Sequence, residues 1–362
     1  MASPTDDTQP QLNDLQTYFV REFVQEYKDG HMSRRDMIRR VLYIAGGVAS
    51  TATLLTGLGC APATPATPTT GPAQSSKPVT SASPAAGPSP AASPAASPVA
   101  SPAASPAASP SPAAAGPRSP LSVAPNDPAV LASNVTFPST GATLIGYQAR
   151  PAATGGPSPV VLVCHENRGL TEHIQDVTRR FAKEGYHALA VDLLSREGGT
   201  ARVADPAQIP AILSSPGNAG RHVDDFKSAL EYVRTQSGLV DADRVAMTGY
   251  CFGGGITWCA ATAMPELRAA SPYYGPPPPL DQVPNIRGAV FGVYSSDPND
   301  FANRGRDELV AALQAAGVTF EIKVYPDTRH AFHNDTGQAW NSEQGPAAFR
   351  DTLAWFQRYL NA

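Results

Sequence analysis

Short, uninterrupted apolar runs recur along residues 160–325: Val160-Val-Leu-Val-Cys164, His187-Ala-Leu-Ala-Val191, Arg244-Val-Ala-Met247, Ala289-Val-Phe-Gly-Val-Tyr294 and Phe320-Glu-Ile-Lys-Val-Tyr325. Helix-patterned windows near 172–184, 222–236, 254–264 and 305–316 separate them, and one more closes the chain near 346–360. A strand that alternates apolar and polar residues has one face in water; a continuously apolar one is covered on both. With helices interposed, the covers are supplied by the chain itself. The expected class is therefore α/β, a mostly parallel, doubly wound sheet with helices on both faces, spanning residues 126–362. A hairpin from Val135 to Tyr147 is expected to add antiparallel edge strands.

One turn in that pattern carries chemistry. Gly249-Tyr-Cys251-Phe-Gly253 lies between the run ending at Met247 and the helical window from 254. Strand, glycine-flanked turn and helix, with one nucleophile-capable side chain at the apex, is the nucleophile elbow of the α/β-hydrolase fold, here with Cys instead of Ser. The flanking glycines allow the sharp turn, and the helix start favours both a thiolate and a developing oxyanion. In that fold the chain order is nucleophile, acid, histidine. After Cys251 the acids are Asp297 and Asp300, beyond the strand ending at Tyr294, and His330 follows the strand ending at Tyr325. Asp297 is the first choice because it is nearer the strand end, and Asp300 is the alternative. The loop after the first parallel strand, Cys164-His-Glu-Asn-Arg-Gly-Leu170, is placed to give the second oxyanion donor, and Glu166 in it could accept the thiol proton.

The rest of the chain reads as three further segments. Residues 1–32 are polar, with Leu12, Leu15, Phe19, Phe23 and Val24 at helical spacing, expected as a short surface helix. Residues 33–60 hold Ser33-Arg-Arg-Asp-Met-Ile-Arg-Arg40 followed by an uncharged run over 41–59, a Tat-like export signal or a retained membrane anchor. Leu55-Thr-Gly-Leu-Gly-Cys60 is a degraded lipidation motif, so membrane contact through residues 41–59 or a lipidated Cys60 is open. Residues 61–125, rich in Ala, Pro, Ser and Thr, are expected to be a disordered, extended spacer. An extracytoplasmic protein, anchored or released, fits this order. A net charge of −4 and a pI near 6.0 argue against nucleic acid as a partner. The four cysteines have neither disulfide-framework nor zinc-ligand spacing, so neither a zinc site nor structural disulfides are expected.

The residues from about 126 to the end resemble the dienelactone hydrolase (carboxymethylenebutenolidase) family. The resemblance rests on His165-Glu166-Asn-Arg-Gly-Leu, Gly185-Tyr-His-Ala-Leu-Ala-Val-Asp-Leu193, Gly249-Tyr-Cys251-Phe-Gly-Gly254, Tyr273-Tyr-Gly275 and His330-Ala-Phe332. It implies a Cys-His-Asp triad that cleaves a lactone or small activated ester through an acyl-enzyme, without a cofactor. Position by position, it implies Cys251 as nucleophile, His330 as base, and the backbone N–H groups of Phe252 and Asn167 as the oxyanion hole. Glu166 would hold the resting thiol and release it when substrate arrives. Two departures stand out. The acid loop, Tyr294-Ser-Ser-Asp297-Pro-Asn-Asp300, is shifted, and Asn334 stands where a substrate-binding arginine is expected. Arg168, Tyr250, His333 and Asn334 are the candidates for substrate contact. The rival readings are a general carboxylesterase or thioesterase on the same triad, and an exported, non-catalytic binding protein on a degenerate hydrolase fold.

Overall fold

The structure, a computed structural model, describes residues 12–58, 119–153 and 155–361. Along the chain come α1 (Asp14–Lys28), α2 (Arg34–Ala45), α3 (Val48–Gly57), β1 (Val130–Ser139), β2 (Ala142–Pro151), β3 (Ser158–Cys164), α4 (Glu172–Lys183) and β4 (His187–Asp192). Then follow α5 (Ile209–Leu213), α6 (Asn218–Arg234), β5 (Val240–Tyr250), α7 (Phe252–Ala263) and β6 (Leu267–Tyr273). The last elements are β7 (Ala289–Ser295), α8 (Arg306–Ala315), β8 (Phe320–Tyr325) and α9 (Gln344–Leu360).

The strands form one eight-stranded sheet in the order β1-β2-β4-β3-β5-β6-β7-β8. The β1–β2 and β2–β4 pairs are antiparallel and the others parallel, so this is an α/β-hydrolase sheet with an antiparallel edge. Every residue of β4 and of β7 is buried, as continuous apolar runs require. The register sets the functional edge. Cys164 at the end of β3 pairs with Gly249, and Tyr250 at the end of β5 pairs with Tyr273. The loop from His165 and the turn at Cys251 therefore leave the sheet side by side.

The chain departs from the sequence reading in four places. β6 was not anticipated; its segment Leu-Arg-Ala-Ala-Ser-Pro-Tyr has little strand propensity and is held by pairing on both sides. Residues 119–125, ahead of the expected boundary at 126, pack on the domain: Val123 is buried, its N–H donates to Asp176 Oδ1 at 2.7 Å, and its carbonyl accepts from Arg179 Nε at 2.7 Å. The described part of the uncharged run over 41–59 is not one helix: α2 ends at Ala45, Gly46 caps it in the left-handed region (φ 72°), and α3 starts at Val48. Among the described residues no helix is long and apolar enough to cross a membrane. The spacer, apart from 119–125, and Cys60 lie outside the described residues.

The fourth departure concerns α1, which is a helix but not a surface one. Asn13 and Gln16 form a reciprocal capping box that fixes its start. Its stripe of Tyr18, Phe19, Val20, Phe23 and Val24 is buried, with Phe19 and Phe23 fully so. Each phenylalanine so removed from water contributes about 1.5–3 kcal/mol, which is ample reason for the helix to seat rather than float. Phe19 stacks on Phe252 with ring centroids 5.6 Å apart, so the seat is beside the elbow.

Candidate active site

Cys251 occupies the apex of the β5–α7 turn with φ 57° and ψ −120°, a backbone conformation that costs energy for any residue with a Cβ. The flanking glycines make it possible. A Cβ at Gly249 would lie 2.2 Å from the Gly253 carbonyl oxygen, and one at Gly253 would lie 2.4 Å from that of His165. The turn is also pinned by Cys251 N–H donating to Tyr273 O at 3.1 Å and Gly254 N–H donating to Cys251 O at 2.9 Å. The amide of Phe252, first residue of α7, follows the sulfur-bearing residue directly and favours its thiolate. Burial raises the thiol well above its ordinary pKa, the Glu22 and Glu166 carboxylates add to this, and the Phe252 amide opposes it.

His330, in the loop after β8, pairs through Nδ1 with Asp300 Oδ1 at 3.1 Å. This corrects the first choice of acid. Asp297 is half-buried and accepts the Asn299 N–H at 2.8 Å, making a local turn at the loop tip. Asp300 is three residues deeper; its side chain is fully buried and also accepts from Ser295 Oγ at 2.5 Å and from the Ala302 N–H at 2.9 Å. Nearness to the strand end was the wrong criterion, because the Asp297–Asn299 turn folds the chain back before the carboxylate that reaches the histidine. Burial alone would raise the Asp300 pKa, but His330 and the three hydrogen bonds outweigh it and hold the carboxyl low. Burial likewise opposes the imidazolium of His330, and Asp300 reverses the sign, so His330 is raised.

The group in contact with the thiol is not Glu166. Cys251 Sγ donates to Glu22 Oε1 of α1 at 3.4 Å, and Tyr18 Oη of the same helix donates to the sulfur at 3.4 Å. Asn167 Nδ2 grips the same Glu22 oxygen at 2.5 Å. Glu166 instead accepts from Asn334 Nδ2 at 2.7 Å, which turns it toward the loop after β8. A carboxylate oxygen of Glu22, the Cys251 sulfur and a ring nitrogen of His330 lie within 4.8 Å of one another. Nδ1 of His330 is committed to Asp300, and the sulfur donates to Glu22. No sequence motif pointed to Glu22 or Tyr18. The available signal was a lone glutamate inside the apolar stripe, one turn after Phe19 and next to Phe23.

Burial and the nearby Glu26 push the Glu22 carboxyl up to about 7 from an ordinary 4.5. Between those two pH values the folded protein holds more of this proton than the unfolded chain, so stability falls as pH rises from below 4.5 to above 7. Glu22→Gln keeps both hydrogen bonds without the charge. It is expected to raise unfolding free energy by about 3 kcal/mol at pH 8, and by less than about 1 kcal/mol at pH 5. Denaturant titrations at the two pH values check this; equal gains at both would contradict it.

A cavity of about 310 Å³ opens onto Cys251 and His330 between α1 and the segment 329–339. Glu22, Gln25, Glu26 and Asp29 of α1 form one wall, and Arg168, Arg329 and Asn334 are on the others. Arg168 and Asn334, two of the candidates for substrate contact, line it. Tyr250 and His333 are not among its lining residues: both are fully buried behind the site, their rings stacked 4.9 Å apart. Burial and the Arg180 charge drive His333 well below its ordinary pKa, so it stays neutral. Phe252 follows Cys251 at the start of α7, and Asn167, in the loop after β3, lines the cavity and reaches Glu22 through its side chain.

Comparison with known proteins shows the family. The model of the dienelactone hydrolase family matches residues 144–360, more than half of the chain. A protein from Escherichia coli (strain K12), provisionally named a carboxymethylenebutenolidase, is 34% identical over 246 residues, covering 64% of this chain and 88% of that one. The crystal structure of a provisionally named dienelactone hydrolase from Klebsiella pneumoniae is 33% identical with a TM-score of 0.59, covering 64% of this chain and all of that one. A dienelactone hydrolase-like promiscuous phosphotriesterase from metagenomic libraries, 22% identical with a TM-score of 0.57, shares the fold. Helix α1 lies outside the residues that the family model matches.

Proposed function

As this chain belongs to the dienelactone hydrolase family and is a hydrolase, we propose that it cleaves a small activated ester or lactone through a covalent thioester on Cys251. The observation that carries this reading is the Asp300–His330 pair set beside a cysteine on a glycine-gripped elbow. His330 takes the thiol proton as the sulfur adds to the ester carbonyl, and Asp300 fixes the imidazole tautomer and stabilises the imidazolium. The amides of Phe252 and Asn167 receive the oxyanion, each contributing about 3–4 kcal/mol in the transition state. Collapse expels the alkoxide or enolate, which takes the proton from His330. Water, deprotonated by His330, then adds to the thioester; the acid leaves and the thiol is restored. A thiolate is itself easily expelled, so esters with a good leaving group fit better than amides.

The cavity supports an uncharged substrate. Its carboxylates from Glu22, Glu26, Asp29 and Asp297 outnumber the guanidinium groups of Arg168 and Arg329, and Asn334 supplies no charge to an anionic lactone. The twin arginines Arg34 and Arg35 ahead of the uncharged run support export, with work outside the cytoplasm and a membrane contact through residues 41–59 or Cys60.

The test is pre-steady-state hydrolysis of p-nitrophenyl acetate by the full chain, with mass analysis of the acid-quenched protein. A burst of p-nitrophenolate with an acetyl group on the Cys251 peptide is expected. Turnover without acylation of Cys251 would sink the proposal.

A further inference from the structure

We propose that α1 is an internal competitor for the acyl site, with the Glu22 carboxyl seated where a substrate ester must sit, so that the enzyme turns over only when α1 lifts. This rests on Cys251 being the nucleophile.

Nucleophilic attack requires a carbonyl carbon about 3–3.5 Å from the sulfur and its oxygen directed at the Phe252 and Asn167 amides. Glu22 Oε1 is 3.4 Å from that sulfur and is held there by Asn167, so an oxygen already occupies the approach to the nucleophile on the Asn167 side. A carboxyl group is also the shape of the hydrolytic product, an sp² carbon with two oxygens. The contacts divert the machinery as well as covering it. The thiol proton is directed to Glu22, and His330 Nε2, the nitrogen that must receive it, has no hydrogen-bond partner. Tyr18 closes the other side, hydrogen-bonding the sulfur and packing edge-on against Phe301 at 4.9 Å. Only 3% of Cys251 remains exposed.

The docked state is held by side-chain packing, with features of a contact that can open. The Phe19–Phe252 stack supplies packing, Asn13 Nδ2 donates to the Ser214 carbonyl at 2.8 Å, and Arg39 and Tyr43 of α2 both bond Asp205. Against them, Glu22 Oε2 is buried without a partner, a cost that leaving the cleft would remove. Residues 59–118 are the sole covalent route from the α1–α3 segment to the sheet, so a cut there would leave α1 held by these contacts alone.

The test uses the full chain with Phe19→Ala, the Phe19→Ala/Phe23→Ala pair, and Val20→Pro, which interrupts α1 at its middle. Cooperative thermal unfolding is required of each variant, and Val20→Pro stands in if the aromatic pair fails it. Two rates are read: carboxamidomethylation of Cys251 by iodoacetamide, followed on its peptide, and kcat/KM for p-nitrophenyl acetate. Both are expected to rise at least tenfold in a folded variant. Unchanged alkylation would overturn the proposal, because α1 would then not restrict access. Faster alkylation with a fall in kcat/KM would also overturn it, since α1 would be a working part of the site. Faster alkylation with no ester turnover in wild type or variants would uphold the closure and reject the hydrolase reading instead.

Discussion

Asp300→Asn is expected to lower kcat/KM for ester hydrolysis by about 10⁴-fold, while Asp297→Asn changes it by no more than about threefold. An amide at position 300 keeps the volume and can still meet His330 Nδ1, but it stabilises the wrong tautomer and leaves the imidazolium without its counter-charge. Asp300 has two donors besides the histidine, Ser295 and the Ala302 amide, and its side chain is fully buried. Its charge is therefore undiluted by solvent, whereas Asp297 sits half-exposed in a turn of its own. The comparison is informative because the two aspartates lie in one loop. Equal losses would mean that the loop as a whole, rather than the Asp300–His330 bond, supports turnover. A larger loss at Asp297 would reject the assignment of the acid.

Gly253→Ala is expected to destabilise the protein by at least about 3 kcal/mol and to remove activity. The added methyl would lie 2.4 Å from the His165 carbonyl oxygen and 2.6 Å from that of Cys164. Both are backbone atoms of the central β3 strand and the loop after it, so neither can turn aside as a side chain would. Relief requires α7 to move away from β3, which would carry the Phe252 amide away from the sulfur. Gly220→Ala in α6 is the control: nothing lies within 4 Å of its Cβ position, and it is expected to stabilise by about 0.5–1 kcal/mol. Chemical denaturation of both variants reads the difference. A Gly253→Ala protein as stable as wild type would show that the elbow tolerates a wider strand–helix spacing than its geometry indicates.

What could be read from the residues was whatever short-range physics encodes. Continuous apolar runs marked β3, β4, β5, β7 and β8, and the glycine spacing around Cys251 marked the elbow, because both patterns follow from local sterics and burial. β6 escaped because its strand state comes from its two neighbours and not from Ala-Ala-Ser-Pro. The choice between Asp297 and Asp300 turned on a single loop reversal, which sequence spacing does not resolve. Helix α1 was legible as a helix, since capping and periodicity are local, but its partner lay more than two hundred residues away at the elbow, as the Tyr18–Cys251 and Glu22–Cys251 contacts show. Glu22 has no local signature, because what places it at the sulfur is that distant contact.

Asp335 lies five residues after His330 and collects Ser119 Oγ at 2.7 Å, Arg180 Nη2 at 2.6 Å and His173 Nδ1 at 3.1 Å. Segment 119–123 is thus a strap tying the histidine-bearing loop to α4, and its loss would be felt at the base rather than at the sheet. An excised catalytic domain beginning at 126 would retain every strand, yet hold His330 less firmly. Beginning seven residues earlier keeps the strap, and the choice of first residue becomes part of the active-site design.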